Sequence, residues 1–136
     1  MVAKRRTKPK GYDSKLEKRL AEGPLKECEY HPDKVKYTIP AREAKYEPDF
    51  KLGNILLEAK GRFRTSAEAK KYVHIRDSLT NEELVFVFQN PNTPMPGATR
   101  RKDGTRRSMA EWADSLDFRW YSEENVSELI EKELGK

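Results

Sequence analysis

The sequence predicts an α/β domain in which helices flank a mixed β-sheet. Residues 84–88, LVFVF, form an uninterrupted apolar run of β-forming residues, which is typical of a central strand buried on both faces. Two further runs, residues 49–52 and 55–60, are separated by Gly53-Asn54 and indicate a β-hairpin. Amphipathic helical patterns lie between these strands and on both sides of them, so helices are expected to cover the sheet.

Composition limits the chain to a small, highly charged domain. The 136 residues suit one domain, predicted over residues 11–136, after a basic and flexible tail at residues 1–10. Charged residues make up 38% of the chain, against about 25% in a typical protein, so the core is expected to be thin. A homodimer that shares a core would remedy this. The net charge, 28 − 23 = +5, favours a polyanionic partner.

The chemistry available to the chain is also limited. Cys28 is the single cysteine, which excludes an intrachain disulfide and a cysteine zinc cluster and fits a reducing compartment. Only His31 and His74 could supply imidazole. No signal-peptide pattern and no apolar stretch near the roughly 20 residues of a membrane span is present, so a soluble, cytoplasmic protein without a membrane partner is expected.

The first predicted elements are a helix and a strand. Apolar residues at positions 12, 16 and 20 predict a helix over residues 12–21, which Gly23-Pro24 ends. Asp13 and Glu17 share one side of this helix, where each is either a surface charge or a site residue. Residues 34–40 alternate as a strand, and residues 41–45 are predicted to be a polar connection.

The hairpin register places two acids opposite each other. With a two-residue turn of type I′ or II′, Phe50 pairs with Leu57 and Asp49 pairs with Glu58. One face is then a core surface formed by Phe50, Leu52, Ile55, Leu57 and Ala59. The other is predicted to be a polar face formed by Glu47, Asp49, Lys51, Leu56, Glu58 and Lys60.

Opposed carboxylates point to a metal site. Like charges on paired residues destabilise a sheet, and hard cations such as Mg²⁺ prefer carboxylate oxygens. Lys60 projects from the same face as Glu58 and could hold a water or an oxyanion. The pattern therefore indicates metal-dependent phosphodiester chemistry, although a polar hairpin face with chance carboxylates would look the same.

The remaining elements follow from capping and turn signals. Thr65 and Glu68 form a capping-box pattern that opens a helix to about residue 79. Residues 90–97 hold three prolines and are predicted to be a loop. A second capping box at residues 108–111 opens a short helix to about residue 115, residues 118–120 fit a strand, and Ser122 is expected to cap the closing helix.

Basic residues cluster on either side of the central strand. They are either solvated surface or contacts to a nucleic-acid backbone, and a neighbouring metal-dependent site favours the second. The candidate DNA-binding residues are Arg62, Arg64, Lys70, Lys71, Arg100, Arg101, Arg106 and Arg107.

The motif set resembles that of the phage endonuclease I family. The Pro48-Asp49 and Glu58-Ala59-Lys60 pair resembles the PD-(D/E)xK nuclease motif. A wider similarity over about residues 11–120 includes the strings SKLE (14–17), YTIP (37–40), YEPDF (46–50), EAKG (58–61), MAEW (109–112) and FRW (118–120). The resemblance implies a restriction-endonuclease-like fold and a phage-encoded enzyme that resolves four-way (Holliday) junctions. It further implies an intertwined homodimer that exchanges its first strand.

The resemblance also assigns roles to residues. It implies one Mg²⁺ or Mn²⁺ held by Asp49, Glu58 and the Ala59 carbonyl, a second completed by Glu17, and catalysis by Lys60. An alternative alignment puts Asp13 in place of Glu17. Two other functions stay open: a restriction-type or nicking endonuclease on duplex DNA, and an architectural DNA-binding protein without catalysis.

Overall fold

A computed structural model of the chain describes residues 12–39 and 42–135. The predicted tail at residues 1–10 lies outside these ranges. The described elements, in chain order, are α1 (Lys15–Glu22), β1 (Glu29–Tyr30), β2 (Val35–Ile39), β3 (Arg42–Tyr46), β4 (Phe50–Leu52), β5 (Ile55–Lys60), α2 (Ser66–Ser78), β6 (Glu83–Phe88), α3 (Met109–Ser115), β7 (Arg119–Ser122) and α4 (Ser127–Leu134).

The main sheet has five strands and mixed direction. Its strand order is β1-β4-β5-β6-β7, with antiparallel pairing from β1 to β5 and parallel pairing from β5 to β7. This confirms the predicted mixed sheet and the central, doubly buried strand β6. Because β5, β6 and β7 run in parallel, their carboxyl ends meet at one edge of the sheet.

Helices cover both faces of the sheet, as predicted. On one face α1 and α4 pack against the odd-numbered side chains of the central strands. This cluster contains Leu16, Leu20, Leu25, Phe50, Ile55, Leu57, Ala59, Val85, Val87, Val126, Leu129 and Ile130. On the other face lie α2 and α3, and their cluster includes Leu56, Tyr72, Ile75, Phe86, Phe88, Met109 and Trp112. In the described ranges no helix has the length and apolar character needed to cross a membrane.

The prediction of a polar connection at residues 41–45 is wrong. From Arg42 onward this segment forms β3, which pairs antiparallel with β2 from Val35↔Tyr46 to Ile39↔Arg42. The two strands form a separate ribbon. Tyr37 and Tyr46 on its inner face are buried against α2, so a charged-looking sequence still has an apolar side that can pack.

The central hairpin has the predicted register. Phe50 pairs with Leu57 and Leu52 pairs with Ile55, so the connection is the two residues Gly53-Asn54. Gly53 has a φ of 59°, whereas Asn54 is not among the described non-glycine residues with positive φ. Only the first central residue is therefore left-handed, which selects type II′ over type I′.

Several boundaries differ from the predicted ones. Strand β1 was not predicted, because two residues are too short to show alternation. Helix α1 begins at Lys15 after the Ser14 cap, and not at residue 12. Helix α4 begins at Ser127 without a side-chain cap. Ser122, the predicted cap, instead exchanges hydrogen bonds with Asn125 in the preceding turn.

Replacing Gly53 by alanine is expected to destabilise the protein by about 1 kcal/mol, because an L side chain strains the left-handed backbone of the turn. Gly53→Asn is the matched comparison and should lose less, since asparagine tolerates this region better. Urea denaturation would measure both free energies of unfolding. Equal stability of Gly53→Ala and the unaltered protein would contradict the assigned turn.

Candidate functional site

The carboxylate of Glu58 is buried, and not on a polar face as predicted. Glu58 is 6% exposed and Leu56 is 1% exposed, because β5 lies between β4 and β6 and is covered on both faces. Tyr46 donates a hydrogen bond to Oε1 of Glu58 at 2.5 Å, and Tyr72 donates to Oε2 at 2.9 Å. Burial of an acid at the centre of the sheet therefore depends on two phenol donors.

Asp49 lies beside Glu58 but just outside the strand predicted to contain it. Strand β4 begins at Phe50, and Oδ2 of Asp49 accepts a hydrogen bond from the backbone N–H of Ala59 at 2.9 Å. Burial raises the pKa of Asp49 to about 9, with further contributions from the negative charges of Glu58 and Glu17. The predicted proximity of like charges is thus present, together with its electrostatic consequence.

Glu17 reaches this group from α1, which packs on the opposite face of the sheet. It is 9% exposed, and Tyr30 donates a hydrogen bond to its Oε1 at 2.7 Å. Burial is the largest cause of a raised pKa at Glu17, and the charges of Asp13 and Glu58 raise it further. Glu17 therefore lies within electrostatic range of Glu58.

Asp13 belongs to a neighbouring cluster around His31 that the sequence did not indicate. Nε2 of His31 lies 3.0 Å from Oδ2 of Asp13 and 3.7 Å from Oε1 of Glu17, while Nδ1 lies 2.8 Å from Oε2 of Glu47. Asp13, Glu17 and His31 each offer one ligand atom, and these three atoms lie within 4.8 Å of one another, close enough to hold a metal ion. His31 has a φ of 50° and stacks on Tyr30, a geometry that no sequence pattern shows.

Lys60 is held between two acids and two aromatic rings. Its Nζ lies 2.6 Å from Oε2 of Glu68 and 3.6 Å from Oε2 of Glu58, over the rings of Tyr72 and Phe63. Glu68 was predicted to complete a capping box, and Thr65 does accept from its backbone N–H. Its carboxylate, however, accepts from Lys60 and from the Arg64 backbone. Burial would raise the pKa of Glu68, but these bonds outweigh it and lower the pKa.

A polar cavity of about 540 Å³ opens at the carboxyl ends of β5 and β6. Glu17, Ala59, Lys60, Arg62 and Arg64 of the predicted site line it. It also contains residues that the sequence did not single out, namely Ser14, Lys15, Arg19, Glu68 and Gln89. Lys15 and Arg19 are four residues apart on α1, so the sequence indicates that they share one side of the helix. Which part of the protein that side faces depends on how the helix packs.

The other predicted DNA-binding residues lie elsewhere. Lys70 and Arg107 line a mainly apolar cavity of about 410 Å³ between α2, the proline-rich loop and α3. Nζ of Lys71 lies 5.0 Å from the centre of the Tyr72 ring. Arg101 pairs with Glu111 at 2.9 Å, Arg100 donates to the Gly104 carbonyl, and Arg106 is exposed. The structure therefore brings two of the eight candidates, Arg62 and Arg64, to the cavity that Lys60 lines.

The comparisons with known proteins identify the family of the chain. The family model described as phage endonuclease I matches residues 1–132, and the chain belongs to this family. It is also similar to endonuclease I of Escherichia phage T7, with 36% identity over 86 residues. That alignment covers 62% of this chain and 56% of the relative, so the chain spans somewhat more than half the length of the relative.

The raised pKa of Asp49 predicts a pH-dependent cost to stability. Its folded value of about 9 exceeds the unfolded value of 3.8, so the folded state binds more protons and stability falls as pH rises between these values. Without metal, Asp49→Asn should therefore stabilise the protein at pH 8 by on the order of 1–3 kcal/mol. The gain should shrink towards pH 4, where Asp49 is protonated.

Urea denaturation in EDTA across this pH range would measure the effect. Asp33→Asn, at an exposed position, is the control and should show no such trend. A loss of stability in Asp49→Asn that is constant with pH would contradict the assigned proton binding.

Proposed function

We propose that the protein is a divalent-metal-dependent DNA endonuclease that resolves four-way junctions and other branched DNA. The observation that carries the proposal is the grouping of Asp49, Glu58 and Glu17 with Lys60 at the carboxyl edge of the sheet. Family membership supports nuclease chemistry, and the PD-(D/E)xK pattern of Asp49, Glu58 and Lys60 supports a restriction-endonuclease-like core. The enzyme would act in the cytoplasm of the phage-infected host cell.

The chemistry of the donor set fits a hard divalent cation. Asp49, Glu58 and Glu17 offer carboxylate oxygens, and Ala59, which lines the cavity together with Glu17, would add its backbone carbonyl. Burial raises the pKa values of Asp49 and Glu17, and neighbouring acids raise them further, so ionisation of these acids is costly without a cation beside them. Asp49, Glu58 and Ala59 would hold one ion, and Glu17 would complete a second. Such ions, Mg²⁺ or Mn²⁺, would supply Lewis acidity and a water of lowered pKa.

The other residues of the cavity would position the DNA and its scissile phosphate. Lys60 lines the cavity, and its ammonium group would orient the attacking water or stabilise charge on the phosphate. Arg62, Arg64, Lys15 and Arg19 line the same cavity, and Arg19 also pairs with Glu123. These four cations would bind phosphates of one DNA strand. Such contacts position a duplex without reading its sequence.

The remaining basic residues would contact DNA farther from the cut. Lys70, Lys71, Arg100, Arg101, Arg106 and Arg107 are proposed to meet the arms of a branched substrate, and the basic residues 1–10 to lie along phosphates beside the single domain at residues 11–136. A substrate with several duplex arms needs contacts spread over a wide surface. Selectivity for junctions would then come from shape and backbone position.

The family resemblance supports a homodimer that exchanges its first strand. Within one chain, Glu17 already lies within electrostatic range of Asp49 and Glu58. In an exchanged dimer the same contacts would come from the first helix of the other subunit. Two sites in one particle would allow cuts on two opposing strands of a junction.

The metal assignment predicts that Asp49→Asn and Glu58→Gln each lower the rate of junction cleavage in Mg²⁺ by roughly 100-fold or more. Both variants should still bind the junction, because the basic residues are unchanged. Gel assays of cleavage and binding on a four-way junction and on a linear duplex would test this. Glu131→Gln, at an exposed position of α4, is the matched control.

Retained cleavage in Asp49→Asn would remove the metal assignment, since that substitution is expected to leave a folded protein. Equal rates on junction and linear DNA would favour the restriction-type or nicking enzyme. Binding without cleavage under any divalent ion would favour an architectural protein.

The two first-helix acids are expected to differ in importance. Glu17→Gln should reduce the cleavage rate strongly, because Glu17 is buried beside Glu58, whereas Asp13→Asn should reduce it less, because Asp13 is exposed beside His31. Rates at saturating Mg²⁺ measure the comparison. The reverse order would assign the role to Asp13, and two fully active variants would contradict a second metal held by α1.

A further inference from the structure

Glu58 receives one hydrogen bond on each carboxylate oxygen, and both come from tyrosines. Tyr46 reaches Oε1 at 2.5 Å and Tyr72 reaches Oε2 at 2.9 Å. All three side chains are nearly enclosed, with exposed fractions of 6% for Glu58, 5% for Tyr46 and 2% for Tyr72. Water therefore has little access to this carboxylate from the side on which the tyrosines lie.

The two tyrosines come from different parts of the fold. Tyr46 is the last residue of β3 in the ribbon, and Tyr72 lies in the middle of α2. Their rings meet edge-on, with centroids 5.9 Å apart and planes at 90°. Each ring is locked by the other, and each is also part of the larger apolar cluster on that face of the sheet. Neither hydroxyl can follow a rotating carboxylate without disturbing this packing.

This arrangement fixes the plane of the Glu58 carboxylate. Each ionised carboxylate oxygen has two lone pairs, and the tyrosines engage one lone pair on each oxygen. The remaining lone pairs stay available for another partner. Nζ of Lys60 lies 3.6 Å from Oε2, and Lys60 and Ala59 both line the cavity, so the cavity lies next to Glu58. Hydrogen-bond partners of this kind commonly orient metal-ligating side chains and adjust their affinity for the ion.

We propose that Tyr46 and Tyr72 are positioning residues that hold the Glu58 carboxylate in the orientation needed to bind the divalent cation. The inference rests on the proposed metal-dependent function and adds two residues that act through Glu58 and do not touch the DNA. It also gives the β2–β3 ribbon a role in the site, since the ribbon supplies one of the two donors.

A purely structural role makes a different prediction. If the hydroxyls only satisfy a buried acid, removing them lowers the free energy of unfolding and leaves the metal affinity of the folded protein unchanged. If they orient Glu58, the metal affinity of the folded protein falls as well. Tyrosine-to-phenylalanine variants separate these cases, because they keep the rings, the packing and the ring under the Lys60 ammonium group.

The experiment compares Tyr46→Phe, Tyr72→Phe and the double variant with Tyr37→Phe. Tyr37 is the matched control, because it is a buried tyrosine on the same ribbon and 6% exposed. Binding of Mn²⁺ to the DNA-free protein is followed by loss of the electron paramagnetic resonance signal of free Mn²⁺. Each single variant is expected to bind Mn²⁺ about 10-fold more weakly, and Tyr37→Phe as tightly as the unaltered protein.

Cleavage supplies a second readout. The Mg²⁺ concentration that gives half the maximal junction-cleavage rate should rise in Tyr46→Phe and Tyr72→Phe. The rate at saturating Mg²⁺ should stay close to that of the unaltered protein, because Lys60 and the other acids are intact. Because metal that binds only the folded state also rescues a partly unfolded variant, the comparison uses variants that are folded without metal. Thermal melts identify the folded variants, and either tyrosine alone tests the proposal.

Mn²⁺ affinity and Mg²⁺ dependence equal to those of the unaltered protein in both phenylalanine variants would overturn the inference while leaving the proposed function in place. The same loss in Tyr37→Phe would also overturn it, because the effect would then be a general one of the ribbon. An unaltered protein that neither binds Mn²⁺ nor cuts a junction would overturn the proposed function and this inference together.

Discussion

The structure depends on the placement of one carboxylate, that of Glu58 on β5, the middle strand of the main sheet. Transfer of an ionised acid out of water costs several kcal/mol unless hydrogen bonds or opposite charges replace the lost hydration. At Glu58 the replacement comes from Tyr46, Tyr72 and the Lys60 ammonium group. Since these partners lie on the ribbon, on α2 and on β5 itself, the relative positions of three elements are tied to the needs of one side chain.

The opposite face of the sheet adds further acids to the same place. Helix α1 brings Glu17 towards Asp49 and Glu58, and burial together with the like charges raises the pKa of both Asp49 and Glu17. Without a cation, such a grouping costs stability and needs the surrounding core to hold it. Burial in a well-packed sheet opposes the ionisation of these acids, and a bound cation would favour it. This is the physical basis for proposing metal binding here, because exposed acids would ionise without a cation.

The positions of basic residues in the sequence do not predict which of them lie near the site in the folded protein. Arg62 and Arg64 reach the site because they follow β5 at its carboxyl end, directly after Lys60. The second cluster, residues 100–107, is equally basic but follows a proline-rich loop, and its Arg101 pairs with Glu111. Lys15 and Arg19 line the cavity although α1 is far from β5 in sequence. Net charge therefore predicts the type of partner, and packing decides which cations can meet it.

The amino-acid sequence by itself determined the local geometry. The period-two alternation and Gly53 set the hairpin register, the apolar run of β6 predicted its burial, and the caps at Thr65 and Ser108 placed two helices. Strand β3 and the burial of Glu58 could not be predicted from local sequence patterns. A buried acid and a solvated acid can have the same neighbours in sequence. Only the tertiary structure decided that tyrosines 26 residues apart would meet at that carboxylate, since such contacts depend on how the ribbon and α2 pack across the sheet.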